Sequence, residues 1–467
     1  MIKPSVTLKL SSIALCMSLT TACSVTHTDF TPPEVSIPAS WQSVSVNQQV
    51  KLDPWWHRFN NPELNQLIEQ VLLTNNDLAL ATLTLRSARL QAGLTDTQRY
   101  PQISANMDGS KTKNLDGGSS TSDYGTNLSL SYEVDLWGRV SADMDAAKWA
   151  SLASEQDRES TAQSLVSTTA TLYWQIGYLK QSLTLSQNSI DYAQQTYDLA
   201  ERQYRSGAVS QLNVFEAKRS LAGQQASHSE LEQQLVEAQN ALAILFNQPP
   251  TQMAINIKQL PDTELPSIAA GIPADVLIRR PDVKSALYDL KSAYSAKDAT
   301  FAGYLPTLSL SGALGTSSTE LKELLQNPIG TLGANLVLPF VQWNEMQLYK
   351  ALATVEVESA VVSYRQTLYN AFQEVDNAIS ARQHYQYQAQ KLTEQYQAAT
   401  AAEHIYASQY RNGAVSIQDW LDAQETQRSA EVSLLANRYN LFSAQATLYQ
   451  ALGGSDIAPA VPVQQTE

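Results

Sequence analysis

Two kinds of chemistry lie within reach of this sequence, and neither is catalysis. The five histidines, His27, His57, His228, His384 and His404, are scattered, and none forms a His-Glu-x-x-His pair. No phosphate-cradling glycine loop and no nucleophile elbow is present, so the chain is not expected to be an enzyme or to hold a metal. The first available chemistry is acylation of a thiol. Lys3 and Lys9, a short apolar run from Ile13 to Leu19, and Leu19-Thr20-Thr21-Ala22-Cys23 form a secretory signal ending at residue 22. The segment resembles a lipobox in which Leu stands four residues before the cysteine and Thr20 takes the usual Leu position, making Cys23 the expected lipidation site. The plainer alternative is a bystander cysteine near a cleavage site. The second chemistry is electrostatic: Asp419 and Asp422 stand three apart, so on a helix both face one way. Acids also favour a helix N-terminus, which is the alternative reason for their presence.

The elements that position these groups follow from composition and pattern. The chain has 467 residues, 43% hydrophobic and 16% charged, with a formal net charge of −14. That balance excludes a disordered chain and argues against nucleic acid, whose binding needs basic patches. Cys16 leaves with the signal, so Cys23 is alone and no intrachain disulfide is possible. After Cys23 no window of about 18 apolar residues occurs, so any membrane crossing must use β-strands.

The chain is written twice. Tyr204-Arg205-Ser206-Gly207-Ala208-Val209-Ser210 recurs as Tyr410-Arg411-Asn412-Gly413-Ala414-Val415-Ser416. Upstream, Asp77 to Pro101 aligns without gaps to Asp282 to Pro306, with Leu85 matching Leu290 and Ala88 matching Ala293. Each copy starts with a helical pattern, Glu63 to Gly93 or Asp275 to Ala302, ended by Pro101 or Pro306. Two strands follow. Ile103, Ala105 and Met107 alternate with polar residues, then Leu128, Leu130, Tyr132, Val134 and Leu136; copy two gives Leu308, Leu310 and Leu314, then Leu332, Ala334, Leu336, Leu338 and Phe340. A long helical run comes next, Val140 to Tyr204 or Glu345 to Tyr410. It carries a seam with steps of four and three: Leu172, Ile176, Leu179, Leu183, Ser186, Ile190, Ala193, Tyr197, Ala200 and Tyr204; then Tyr385, Ala389, Leu392, Tyr396, Ala399, Glu403, Tyr406 and Tyr410. Each copy has one polar member. Gly207 and Gly413 end the runs, Ser210 and Ser416 sit at N-cap positions, and helices return over Gln211 to Phe246 and Ile417 to Leu452. Four strands cannot close a barrel, so a conducting chain must oligomerise; three copies leave a pore where two would not.

Tyr132-Glu133-Val134-Asp135-Leu136-Trp137-Gly138-Arg139 and the midchain Gly271-Ile272-Pro273-Ala274-Asp275-Val276-Leu277-Ile278-Arg279-Arg280-Pro281-Asp282-Val283, with the repeated Tyr-Arg-x-Gly tip, resemble TolC-like outer-membrane efflux proteins of the NodT/OprM lipoprotein branch. The resemblance covers essentially the whole mature chain. It departs at Phe340-Val341-Gln342-Trp343-Asn344-Glu345, where the family usually has an Asp-Gly-Gly-Arg-like turn. It implies a mostly α fold with a small β part: a homotrimer with a twelve-stranded outer-membrane β-barrel, four strands per chain, continued by a long periplasmic α-helical barrel. It implies passive conduction of small molecules such as drugs, gated at the periplasmic tips, with an inner-membrane pump and a periplasmic adaptor (membrane fusion) protein as partners. Asp419 and Asp422 match the family's acidic gate ring; copy one has Asn213 and Glu216 there. The tips Arg205, Gly207, Val209, Ser210, Arg411, Gly413, Val415 and Ser416 are the expected adaptor-docking sites, although a turn alone also asks for Gly and Ser. Ser24 after Cys23 resembles lipoproteins sent to the outer membrane, and the covalent lipid is the only cofactor-like group expected. The expected organisation is a signal peptide over 1–22, an acylated segment over 23–62, a first repeat over 63–248, a Pro-rich connector over 249–273, a second repeat over 274–453 and a tail over 454–467. Other readings are a type I secretion-type duct for proteins, or a non-conducting periplasmic coiled-coil adaptor or structural protein.

Overall fold

A computed structural model describes residues 28, 30–34, 54–250, 255–262, 265–266 and 278–454. The expected lipidation site Cys23 lies outside them, as do residues 271–277 of the midchain motif. The elements, in chain order, are α1 (Pro62–Thr74), α2 (Asn76–Asp96), β1 (Gln102–Lys113), β2 (Ser120–Val134), α3 (Arg139–Arg205), α4 (Gln211–Leu245), α5 (Pro281–Gly303), β3 (Thr307–Ser318), β4 (Ile329–Val337), α6 (Trp343–Arg411) and α7 (Ile417–Ala451).

The helices α3 and α6 contain 67 and 69 residues. At 1.5 Å per residue each is about 100 Å long. The first helical pattern is two helices rather than one. Asn75 breaks it: its Oδ1 accepts from the N–H groups of Asp77 and Leu78, at 2.9 and 3.1 Å, and its Nδ2 donates to Leu245 O. An N-cap inside an apolar pattern ends one helix and starts another. In copy two the described residues Ile278 and Arg279 are helical, Arg280 is not, and α5 runs from Pro281.

The chain forms two compact units. One comprises 1–35, 83–156 and 284–367, the other 36–82, 157–283 and 368–467. Each sequence repeat contributes to both.

The first unit holds one antiparallel sheet in the order β1-β2-β3-β4. Its register sorts the side chains into two faces. Ile103, Leu130, Gly312 and Leu332 lie in one row, and Ala105, Leu128, Leu314 and Gly330 in the next. The opposite face carries rows such as Gln102, Ser131, Ser311 and Gly333, or Asn106, Asn127, Gly315 and, at the end of β4, the apolar Ile329. The apolar side is solvent-exposed, and so are β1 and β4 along their whole lengths. Three features differ from the sequence pattern. β1 and β2 extend through polar residues to Lys113 and from Ser120. Leu136 lies beyond β2. Leu338 and Phe340 lie beyond β4, because Pro339 has no N–H for a ladder and opens a 3-10 turn over Pro339–Val341.

The Tyr132–Arg139 motif makes the corner between strand and helix. Gly138 adopts φ +76°, which an L side chain would strain. Asp135 turns back to cap α3, accepting from Val140 N at 3.1 Å, Ser141 N at 2.9 Å and Ser141 Oγ at 2.6 Å. Arg139 donates two hydrogen bonds to Glu133, at 2.8 and 2.9 Å, and one to Asp143. The Trp137 indole N–H donates to Pro306 O.

The second unit is centred on aromatic side chains. Trp55, Trp56, Leu64, Ile68, Trp174, Ile176, Leu242, Phe246 and Phe442 are buried together. Trp55 stacks on Tyr449 with ring centroids 5.0 Å apart. Arg280, also in this unit, is buried and bonds Asp282, Glu374 and the carbonyl of Ala451.

Replacing Asp135 by Ala should weaken the first turn of α3 by about 1 kcal/mol. Hydrogen exchange at Val140 and Ser141 should quicken roughly fivefold on that basis, with the rest of the helix unchanged.

Candidate gate and docking tips

The two helical hairpins turn through the same backbone geometry. Gly207 and Gly413 take φ +77° and +73°. Their N–H groups donate to Tyr204 O and Tyr410 O, while Ala208 N and Ala414 N reach back to Gln203 O and Gln409 O, each at 2.9 Å. These are Schellman-type helix ends, and they need the left-handed residue that Gly supplies. Arg205 and Arg411 are exposed, Arg205 pairing with Glu201 at 2.9 Å. Val209 and Val415 are half-buried.

The next helices start differently. Ser416 and Asp419 form a complete capping box: Ser416 Oγ accepts from Asp419 N, and Asp419 Oδ2 accepts from Ser416 N at 3.0 Å. Ser416 Oγ also lies 2.6 Å from Asp419 Oδ2. In copy one Ser210 caps with no side-chain bond to the backbone, and its hydroxyl donates to Asn213 Oδ1 instead. Asp419 and Asp422 are both exposed on α7, but they have different hydrogen-bond partners. The Ser416 hydroxyl, then the Ser416 N–H, hold the Asp419 carboxyl below the usual carboxylate range. Asp422 accepts from Gln418 Nε2 at 2.7 Å. The capping contribution of Asp419 is therefore complete above about pH 4 and is lost as pH falls through its depressed value.

Behind these tips lies a cluster that the seam pattern only hinted at. Glu403, the polar seam member of α6, is 4% exposed. Its Oε1 accepts from Tyr192 Oη of α3 at 2.5 Å and from Trp420 Nε1 of α7 at 2.9 Å. Trp420 stacks on Tyr410, ring centroids 5.0 Å apart, and meets Tyr192 edge-on at 6.0 Å. Tyr410 donates to Gln203 Oε1 on α3 at 2.6 Å. Ala200, Ala217, Ala407, Ile417 and Leu421 complete the apolar packing. One carboxylate thus ties both hairpins together just behind their turns. Burial, then the Glu403 carboxylate, raises the Tyr192 pKa, so the phenol stays protonated and donating. The sequence showed Glu403 as a polar intruder in an apolar seam. Its donors lie 211 residues upstream and 17 downstream, so spacing alone could not pair them.

The repeated tip motif is therefore used in two ways: Tyr410 is 5% exposed and Tyr204 43%. Among the described residues no group of His, Cys, Asp and Glu is arranged to hold a metal, and no helix is long and apolar enough to cross a membrane.

Residues 67–248, and again 272–454, match the family described as outer membrane efflux protein. This chain belongs to that family. It is 31% identical over 439 residues to the pyoverdine export outer membrane protein OpmQ of Pseudomonas putida, spanning 91% of this chain and 93% of the relative. It is 27% identical to the toxin and drug export protein A of Aggregatibacter actinomycetemcomitans, over 89% and 91% of the two chains. The open state of the MtrE outer membrane channel of Neisseria gonorrhoeae superposes with TM-score 0.81 at 28% identity, covering 92% of this chain and 98% of that one. The fold is accordingly TolC-like, and the chain is an outer-membrane exit duct of a tripartite efflux system.

Glu403→Ala leaves the Tyr192 and Trp420 donors without their acceptor, which should cost the tip packing about 2 kcal/mol or more. Trypsin should then cut at Arg205 and Arg411 at least tenfold faster than in the parent chain, and Glu403→Gln, which keeps an acceptor, should show a smaller effect.

Proposed function

We propose that three copies of this chain form a passive duct for small molecules, closed by the carboxylates and packing of its periplasmic tips. The observation that carries this reading is the four-stranded sheet with one exposed apolar face and two exposed, unpaired edges. Such a sheet is compatible with hydrocarbon only when further strands pair with both edges. Exposed apolar seams on the helices support the same assembly. On α2, Leu80, Leu83, Leu90 and Leu94 follow steps of three, four and seven; on α6, Leu348, Leu352, Val355 and Val362 do likewise. Seams on different repeats suit a head-to-tail contact that closes into a ring.

In this duct Asp422, held by Gln418 one turn back, supplies the carboxylate that faces the gate ring. Asp419 fixes the start of α7 and so sets where Asp422 points. The tips Arg205 to Ser210 and Arg411 to Ser416 receive a periplasmic adaptor, an inner-membrane pump supplies the energy, and Cys23 carries the acyl anchor. The relatives' names speak of pyoverdine export and of toxin and drug export, a spread that supports cargo choice by the pump rather than by this chain.

Planar-bilayer conductance tests the duct. The wild-type trimer should show small, cation-selective steps. Asp422→Ala should enlarge the steps and reduce cation selectivity, whereas Asp419→Asn should chiefly alter gating noise. A folded, inserted trimer that passes no current in any variant would sink the duct reading in favour of a structural role. Docking is tested separately. Gly207→Val and Gly413→Val strain the left-handed turn by about 1–2 kcal/mol. They should abolish drug resistance in cells while leaving the trimer intact on native gels.

A further inference from the structure

In the first unit, two lysines converge on one aromatic ring. Lys297 Nζ of α5 lies 5.5 Å from the centroid of Phe301, and Lys350 Nζ of α6 lies 5.1 Å from it. Lys297 also covers Tyr294 at 5.8 Å. Among the described residues neither lysine forms an ion pair with a carboxylate. The nearby acid on the same helix, Asp298, is taken: its two oxygens accept from Thr28 N at 2.8 Å and Thr28 Oγ1 at 2.5 Å. Two ammonium groups held around one ring repel each other, and the ring quadrupole offsets that repulsion only weakly. An anion in contact with both ammonium groups would relieve that repulsion.

The height of the pair along the chain says which anion. Lys297 stands six residues before the end of α5, and β3 starts at Thr307. Lys350 stands seven residues into α6, just after β4 ends at Val337. Each lysine is thus about 10 Å of helix from the strands that cross the bilayer. The polar headgroup zone is about 5–8 Å deep on each side, and a lysine stem spans the remaining distance. Half-exposed aromatic rings crowd the same level: Tyr304 and Tyr349 lie 6.3 Å apart, and Phe340 and Trp343 are exposed at the head of α6. Tyr and Trp collect where hydrocarbon gives way to headgroups. The N-terminal segment packs on the same helix: Thr28 bonds Asp298, and Phe30 meets Tyr294 edge-on at 5.6 Å. Tyr294, Asp298 and Phe301 share one face of α5 by their spacing of four and three.

We propose that Lys297 and Lys350, around Phe301, bind the phosphate of a phospholipid headgroup from the periplasmic leaflet of the outer membrane, with net-anionic headgroups preferred. Phosphatidylglycerol carries one net negative charge and no choline cation to repel the two lysines, which favours it over phosphatidylcholine. The lipid ties α5 to α6 directly beneath the strands. This site rests on the barrel reading above, and heat-modifiable migration of the full chain on a gel checks the barrel independently.

The test is native mass spectrometry of the full-length trimer after titration with phosphatidylglycerol or phosphatidylcholine in detergent. Wild type should retain phosphatidylglycerol at least tenfold better than phosphatidylcholine. Lys297→Gln/Lys350→Gln should lose that preference, and Lys297→Arg/Lys350→Arg should keep it, all three running as heat-modifiable trimers. Equal retention of phosphatidylglycerol by wild type and the Gln double variant overturns the proposal and leaves the lysines to ring packing alone. Displacement of the lipid by millimolar inorganic phosphate overturns the lipid assignment and makes the ligand a free phosphate.

Discussion

The bare backbone along β1 and β4 is the constraint on which the rest of the molecule depends. In hydrocarbon, every unpaired N–H or C=O costs several kcal/mol, and no water is present to satisfy it. The sheet has an apolar face suited to lipid, but its two edges are open. Only further copies can complete the ladder without leaving an edge. Once that holds, the helices must arrive at the sheet at fixed angles, or the strands of neighbouring copies would not meet in register. The Asp135 cap and the Arg139–Glu133 pair meet that demand with short, charge-assisted bonds at the corner.

The helix tips of the second unit solve the opposite problem. A tip that only closed would need a packed core, and one that only conducted would need none. The packing around Trp420 is apolar and dense, yet its centre is a carboxylate with two donors from different helices. A buried carboxylate is stable only while its donors stay in place, so such a cluster has few intermediate arrangements. The duplicated sequence supplies the same turn twice, but this polar centre only once: position 197 in copy one is a tyrosine where copy two has Glu403.

Much of this was legible in the residues. The ends of α3 and α6 fall within two residues of the positions that Gly207, Gly413 and the seam indicate, because a long helix without Pro has few other places to stop. The alternation of Leu128, Leu130 and Tyr132 gave the apolar face of β2, since period two has only one geometric meaning. What was not legible depended on partners distant in sequence. Asn75 looks like one polar residue in an amphipathic run until Leu245 O comes within reach of its amide. The polar ends of β1 and β2 read as loop because strands that leave the lipid no longer need alternation. Asp419 was readable as a gate acid or as a cap; the structure shows the cap, formed with a serine three residues away, and leaves its neighbour Asp422 the less committed of the two.

The two strand-to-helix corners are built to different standards. The first is bound by a carboxylate cap, a bidentate arginine and an indole hydrogen bond around Gly138. The second passes through a short turn over Pro339–Val341, whose leading residue Leu338 offers no side-chain bond. A torque applied along the helices would meet a stiff corner in one repeat and a compliant one in the other. The repeats then differ as a fixed post differs from a spring, and twisting strain would collect at the Leu338–Trp343 corner rather than spread evenly around the ring.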